Sequence, residues 1–205
     1  MKPVAEVHRF APGAFYWETF SEEIKTDLSC AGWRDEDEAV LIDPVPMSMN
    51  ALDWVVARAD RAALLLTNGN HERGSTWFHQ RFHLQVWAHQ DAVPELKHKK
   101  VRVFADGDTL TAGLKAICIP GSGPGETAFY TPKNGGIVFI GDALVNMESL
   151  GGLAFLPDKY CKDPQQSRQS LRKLLELDFE MMTFAHGKPI VKGAKEQVAK
   201  LLGEA

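Results

Sequence analysis

Ala62-Ala63-Leu64-Leu65-Leu66-Thr67-Asn68-Gly69-Asn70-His71-Glu72-Arg73-Gly74 carries the most information in this sequence. Five apolar residues end abruptly in a run of side chains able to accept protons, donate hydrogen bonds or ligate an ion. A short apolar run bounded by turn residues suits a buried strand, although Ala and Leu also favour helix. The same change from apolar run to polar junction recurs at Leu41-Ile42-Asp43-Pro44, Ile119-Pro120-Gly121-Ser122-Gly123-Pro124-Gly125-Glu126, Phe139-Ile140-Gly141-Asp142 and Phe184-Ala185-His186-Gly187. In layered α/β folds sites gather at such strand ends, where the sheet holds the backbone and loops present side chains.

Further apolar runs at Leu84–Ala88, Val101–Phe104, Leu114–Ile119, Thr127–Tyr130 and Gly136–Ile140 predict strands. Helices are predicted from an Asn50 cap through Ala59, from Gly74 to Phe82, from Asp163-Pro164 through Phe179, and from Ala194 to Leu202. The mixture is α/β, and no repeat or linker divides residues 1–205, so one domain is expected.

Lys and Arg number 23 against 27 Asp and Glu, a net charge of −4 that argues against nucleic-acid and membrane-surface partners. No apolar run has the ~20 residues of a membrane-spanning helix. The start, Met1-Lys2-Pro3-Val4-Ala5-Glu6, is charged where a leader would be apolar. Three widely spaced cysteines, Cys30, Cys118 and Cys161, suit a reducing cytoplasm and offer no ready zinc site. Asp43 taken alone reads as a local turn residue. His71-Glu72 lacks the second histidine of an H-E-x-x-H motif, because Ser75 stands in its place.

In order and separation, the junctions resemble the metallo-β-lactamase superfamily over residues 39–189. The family pattern is a strand ending in Asp, a Thr-His-x-His-x-Asp-His loop, Pro-Gly-His-x-x-Gly, Gly-Asp and a late Gly-His-Gly. The resemblance implies an αβ/βα four-layer sandwich, two β-sheets with outer helices, and hydrolase ancestry. It also implies that Asn68, Asn70, Glu72, Arg73 and Ser122 stand where family ligands would be, while Asp142 and His186 are retained. A pocket of Asn68, Asn70, His71, Glu72, Arg73, Ser122, Glu126, Asp142 and His186 follows.

Amide and hydroxyl oxygens replace imidazole poorly around zinc, so one family ion position is expected to be empty. The other keeps Glu72, Asp142 and His186, a set for at most one divalent ion of zinc, iron or manganese. A guanidinium ~4 Å from such an ion is repelled by about 8 kcal/mol at an effective dielectric of ~20. Arg73 is therefore expected to replace the ion and pair with Asp142 or Glu72, and no cofactor is expected. The slip of one residue that would engage His71 runs against the Thr67 and Gly74 anchors.

Three functions are consistent with these residues. One is a metal-free, non-catalytic or weakly catalytic protein that binds a small molecule or partner at the cleft. The second is a hydrolase with one unusual metal, and the third is metal-free catalysis by Ser122, Asp142 and His186. Apolar residues in 145–160 fit a lid, the interface of a homodimer, or ordinary packing on the sheet edge; Phe15-Tyr16-Trp17 is a candidate cleft wall.

Overall fold

The computed structural model describes residues 3–57 and 59–204, so Met1 and Lys2 of the charged start lie outside the described residues. Seven strands form a first sheet whose spatial order follows the chain: β1 (His8–Ala11), β2 (Ala14–Ser21), β3 (Thr26–Asp35), β4 (Glu38–Ile42), β5 (Arg61–Leu65), β6 (Gln85–His89) and β7 (Val101–Phe104). The first four strands pair antiparallel through short turns. From β4 to β7 the pairing is parallel, which requires crossover connections. Two of these carry the helices α1 (Met49–Val56) and α2 (Ser75–Phe82).

The second sheet contains β8 (Lys115–Cys118), β9 (Thr127–Thr131), β10 (Ile137–Phe139) and β13 (Met181–Thr183) in the order β13-β10-β9-β8. A separate hairpin, β11 (Leu144–Met147) and β12 (Gly152–Phe155), follows β10. Helices α3 (Pro164–Leu171) and α4 (Ala194–Leu201) cover the outer face of this sheet.

Continuous apolar runs arise because both faces of the central strands are buried. Val40, Ile42, Ala63 and Leu65 meet Phe129, Ile137 and Phe139 between the sheets. Their neighbours Leu41, Leu64 and Leu66 face outward and pack against Leu52, Val55 and Phe78 of α1 and α2. Ala128, Val138 and Ile140 likewise face Leu171 and Val198 beneath α3 and α4. A slip of one residue would exchange the two sets, so the period of two fixes the register. Each fully buried Leu or Phe contributes about 1.5–3 kcal/mol. The Trp33 indole also reaches between layers, donating to Ala112 O at 3.0 Å. The result is the expected four-layer αβ/βα sandwich.

Asp163 caps α3 by accepting from Gln166 N at 2.9 Å, as its Asp-Pro signature predicts. Helix α1 begins earlier than the Asn50 cap, because Ser48 Oγ accepts from Ala51 N. The strands β1, β2 and β3 fall outside the predicted runs. Phe15 and Trp17 lie in the outer core of the first sheet, away from a cleft wall. Segment 145–160 is largely the β11–β12 hairpin, with Leu153 and Phe155 packed on the second outer core while Leu150 and Tyr160 stay exposed. Among the described residues no helix is long and apolar enough to cross a membrane.

Candidate metal centre

One edge of the sandwich collects the C-terminal ends of β4, β5, β10 and β13. After β4, Asp43 adopts a left-handed backbone (φ 48°) and turns its carboxylate inward. Asp43 Oδ1 accepts from Thr67 N at 2.8 Å, and Oδ2 accepts from Thr67 Oγ1 and from His71 Nδ1 at 2.9 Å. After β5, Asn68 caps a single 3-10 turn, Gly69–His71, by accepting from Asn70 N at 2.9 Å. That turn carries the His71 ring into the interior, where the residue is 4% exposed.

Gly141 follows β10 and introduces Asp142. A Cβ there would lie 2.4 Å from Thr67 Oγ1 and 2.6 Å from Glu126 Oε1, so a side chain is sterically excluded. After β13, His186 Nδ1 donates to Asp27 O at 2.8 Å. Gly187 completes this junction at φ 101°, where a Cβ would collide with Asn146 O.

These junctions converge on one point. Asp142 Oδ1 lies 3.2 Å from His71 Nε2 and 3.4 Å from His186 Nε2, and the ligand atoms of all three residues fall within 4.8 Å of one another. Despite this proximity Oδ1 is buried with no aligned hydrogen bond. Each ring has its other nitrogen engaged, His71 by a carboxylate and His186 by a carbonyl, which turns both Nε2 atoms toward Oδ1. An orphaned carboxylate oxygen between two imidazole nitrogens fits a divalent ion of the zinc, iron or manganese type.

Burial alone would push the His71 imidazole toward neutrality. The Asp142 and Asp43 carboxylates outweigh it and raise its pKa to about 9. Burial would similarly raise Asp142, yet the His71 and His186 imidazoles hold it well below the usual carboxylate range. Glu126, 1% exposed, is pushed up to about 8 by burial and by the nearby Asp142 charge.

The remaining pocket candidates are distributed differently. Asn68 Nδ2 donates to Glu126 Oε2 at 2.7 Å and to Asp142 Oδ2 at 3.4 Å, tying both acids to the cluster. Asn70 is exposed, and Ser122 Oγ is buried without a partner. Glu72 is not in the cluster: it accepts from Lys97 N at 2.8 Å, from His98 N at 2.7 Å and from Thr76 Oγ1 of α2 at 3.2 Å, and so fastens that loop to the start of α2. The geometry therefore assembles His71, Asp142 and His186 rather than the Glu72, Asp142, His186 set that the spacing implied.

Arg73 also departs from expectation. Its guanidinium pairs with neither Asp142 nor Glu72 but donates to Ser29 O at 2.7 Å, Asp43 O at 3.1 Å and Ala185 O at 3.1 Å. It joins three chain segments behind the cluster, where its charge opposes the proton on His71. Next to the cluster a cavity of about 820 Å³ is lined by His89, Cys118, Ser122, Glu126, Lys162 and Gln166, among others.

Residues 5–203 match the family profile described as the metallo-beta-lactamase superfamily. The chain belongs to that superfamily. This superfamily member aligns in three dimensions with TMB-1 at 17% identity and a TM-score of 0.77, covering 99% of each chain. It aligns with DIM-1 metallo-beta-lactamase at 17% identity and a TM-score of 0.73, covering 98% of each. Both likenesses are of fold alone. A di-iron-bound form of TTHA1623 is 26% identical, with a TM-score of 0.60 over 79% of this chain and 89% of that one. No curated protein matches the sequence.

Two residues of the centre are not marked as such by the sequence. Asp43 taken alone reads as a turn residue, and the motif spacing points past His71. The signal in the sequence is that two apolar runs end in polar junctions, at Asp43 and at Thr67, and that the second junction holds a single histidine, His71.

Proposed function

We propose that this superfamily member is a hydrolase whose centre takes one divalent metal ion, held by His71, Asp142 and His186. The observation that carries this reading is Asp142 Oδ1, buried between two imidazole Nε2 atoms without an aligned hydrogen bond. When bound, such an ion supplies Lewis acidity and activates water near neutral pH.

The chain's own residues prepare that position. Asp43 holds the proton of His71 on Nδ1, and Asp27 O holds that of His186 on Nδ1, leaving both Nε2 atoms free to ligate. Asn68 restrains the Asp142 carboxylate through Oδ2. Glu126 stands on the wall between this cluster and the cavity, where both its oxygens accept hydrogen bonds, from Asn68 Nδ2 and Ala143 N. The cavity is the natural space for a small organic substrate.

A second reading is a metal-free protein that binds a small molecule at the same cleft. It is favoured by Asn68, Asn70 and Ser122 at places where the resemblance implies ligands, and by a His71 that takes up a proton between two carboxylates. One experiment separates the two. Chelator-stripped protein is titrated with zinc, iron and manganese, and its hydrolysis of ester, thioester and phosphodiester substrates is followed. The one-ion reading expects saturable uptake and ion-dependent turnover, both lost in Asp142→Ala and His186→Ala. Failure to retain any of the three ions favours the metal-free reading.

A further inference from the structure

We propose that Asn68 limits this centre to a single ion, an inference that rests on the one-ion reading. Glu126 and Asp142 share one amide group as donor. Asn68 Nδ2 donates to Glu126 Oε2 at 2.7 Å and to Asp142 Oδ2 at 3.4 Å. The orientation of the amide is fixed, because Asn68 Oδ1 accepts from Asn70 N at 2.9 Å and only the NH2 end can face the two acids. Asn68 is wholly buried, and a Cβ added at Gly123 would lie 3.0 Å from its Cγ, so the side chain is confined as well as bonded.

This arrangement divides the Asp142 carboxylate. Oδ2 receives the amide, while Oδ1 faces His71 and His186. A carboxylate that clamps two ions presents an oxygen to each, and here the second oxygen meets an N–H donor that has no lone pair to give a metal. The partial positive charge of the amide hydrogens lies between the two acids, where a second cation would otherwise be attracted. Asn68 thus moderates their repulsion with a neutral group, and Glu126 has the further support of Ala143 N at 3.2 Å.

The test is a count of bound ions on chelator-stripped full-length protein. Manganese and zinc are titrated by calorimetry, and the bound metal is quantified by mass spectrometry. Wild type is expected to saturate at one equivalent even in excess ion. Asn68→Asp, nearly isosteric, replaces the donor with a third carboxylate and is expected to take two equivalents of manganese. Two equivalents on wild type, or one on a folded Asn68→Asp variant, would overturn the proposal. Wild type is measured independently of the variants, so poor folding of a variant does not protect the idea. Zero equivalents on wild type overturns the underlying one-ion reading instead.

Discussion

Replacing Asp43 by asparagine removes one charge from the centre without altering its shape. Asp43 accepts from Thr67 N through one oxygen, and from Thr67 Oγ1 and His71 Nδ1 through the other. An amide cannot accept on both sides. If its oxygen faces His71, its NH2 faces Thr67 N–H, donor against donor. If its oxygen faces Thr67 N–H, its NH2 faces His71 Nδ1, and the ring proton must move to Nε2, the atom that would ligate. Loss of such a supporting partner typically costs tenfold to a hundredfold in metal affinity, about 1.4–2.7 kcal/mol. Removing a hydrogen bond to a charged group lowers apo stability by about 1.5–3 kcal/mol, with a fall in Tm of roughly 2–4 °C per kcal/mol at this chain length. Asp43→Asn is assayed by competition with a chelating dye, alongside thermal unfolding of the stripped protein. Ion affinity within threefold of wild type would refute the tautomer argument.

Glu72→Ala releases the Lys97 and His98 amides and is expected to destabilise the protein by about 1–3 kcal/mol while ion affinity stays unchanged; loss of ion uptake would return Glu72 to the ligand set. Arg73→Met removes the guanidinium donors to Ser29 O and Asp43 O and leaves Ala185 O with the Ser29 N–H alone, a cost of about 3 kcal/mol or more in chemical denaturation with no gain in ion uptake; a gain would mean that the guanidinium excludes an ion after all. Burial raises all three thiols, Cys30 to about 11, but Cys118 and Cys161 are partly exposed, so at pH 8 a thiolate-directed reagent is expected to label those two and not the buried Cys30 in the native protein. Because the unfolded thiol ionises first, the stability contributed by keeping Cys30 protonated is lost as pH rises from about 8.5 toward 11. Equal labelling of all three cysteines at pH 8 would contradict this.

The central strands were legible because residues such as Leu64, Leu65 and Leu66 are buried on both faces, leaving an unbroken apolar run in the sequence. Strands β2 and β3 were less visible. Ala14–Ser21 places Glu18 outside among aromatic residues, and Thr26–Asp35 is buried on both faces, where Ser29, Cys30, Ala31 and Gly32 are too small to form a strong pattern. The junctions were legible as a series, but their side-chain directions were not. Spacing pointed to Glu72, whereas one 3-10 turn rotates His71 inward and leaves Glu72 on the amides of residues 97 and 98. The place of Arg73 is hidden for a related reason, since spacing cannot reveal that Ser29 and Ala185 present carbonyls to it across more than 40 residues of chain in either direction.

His71 is carried by the seven-stranded sheet, whereas Asp142 and His186 extend from strands of the four-stranded one. Whatever binds these three side chains therefore stitches the two halves of the molecule together across their seam. A chain with only one half formed has no such binding point, so ligation reports completed assembly, and a ligand present at a hundred times its Kd would resist parting of the halves by about 2.7 kcal/mol.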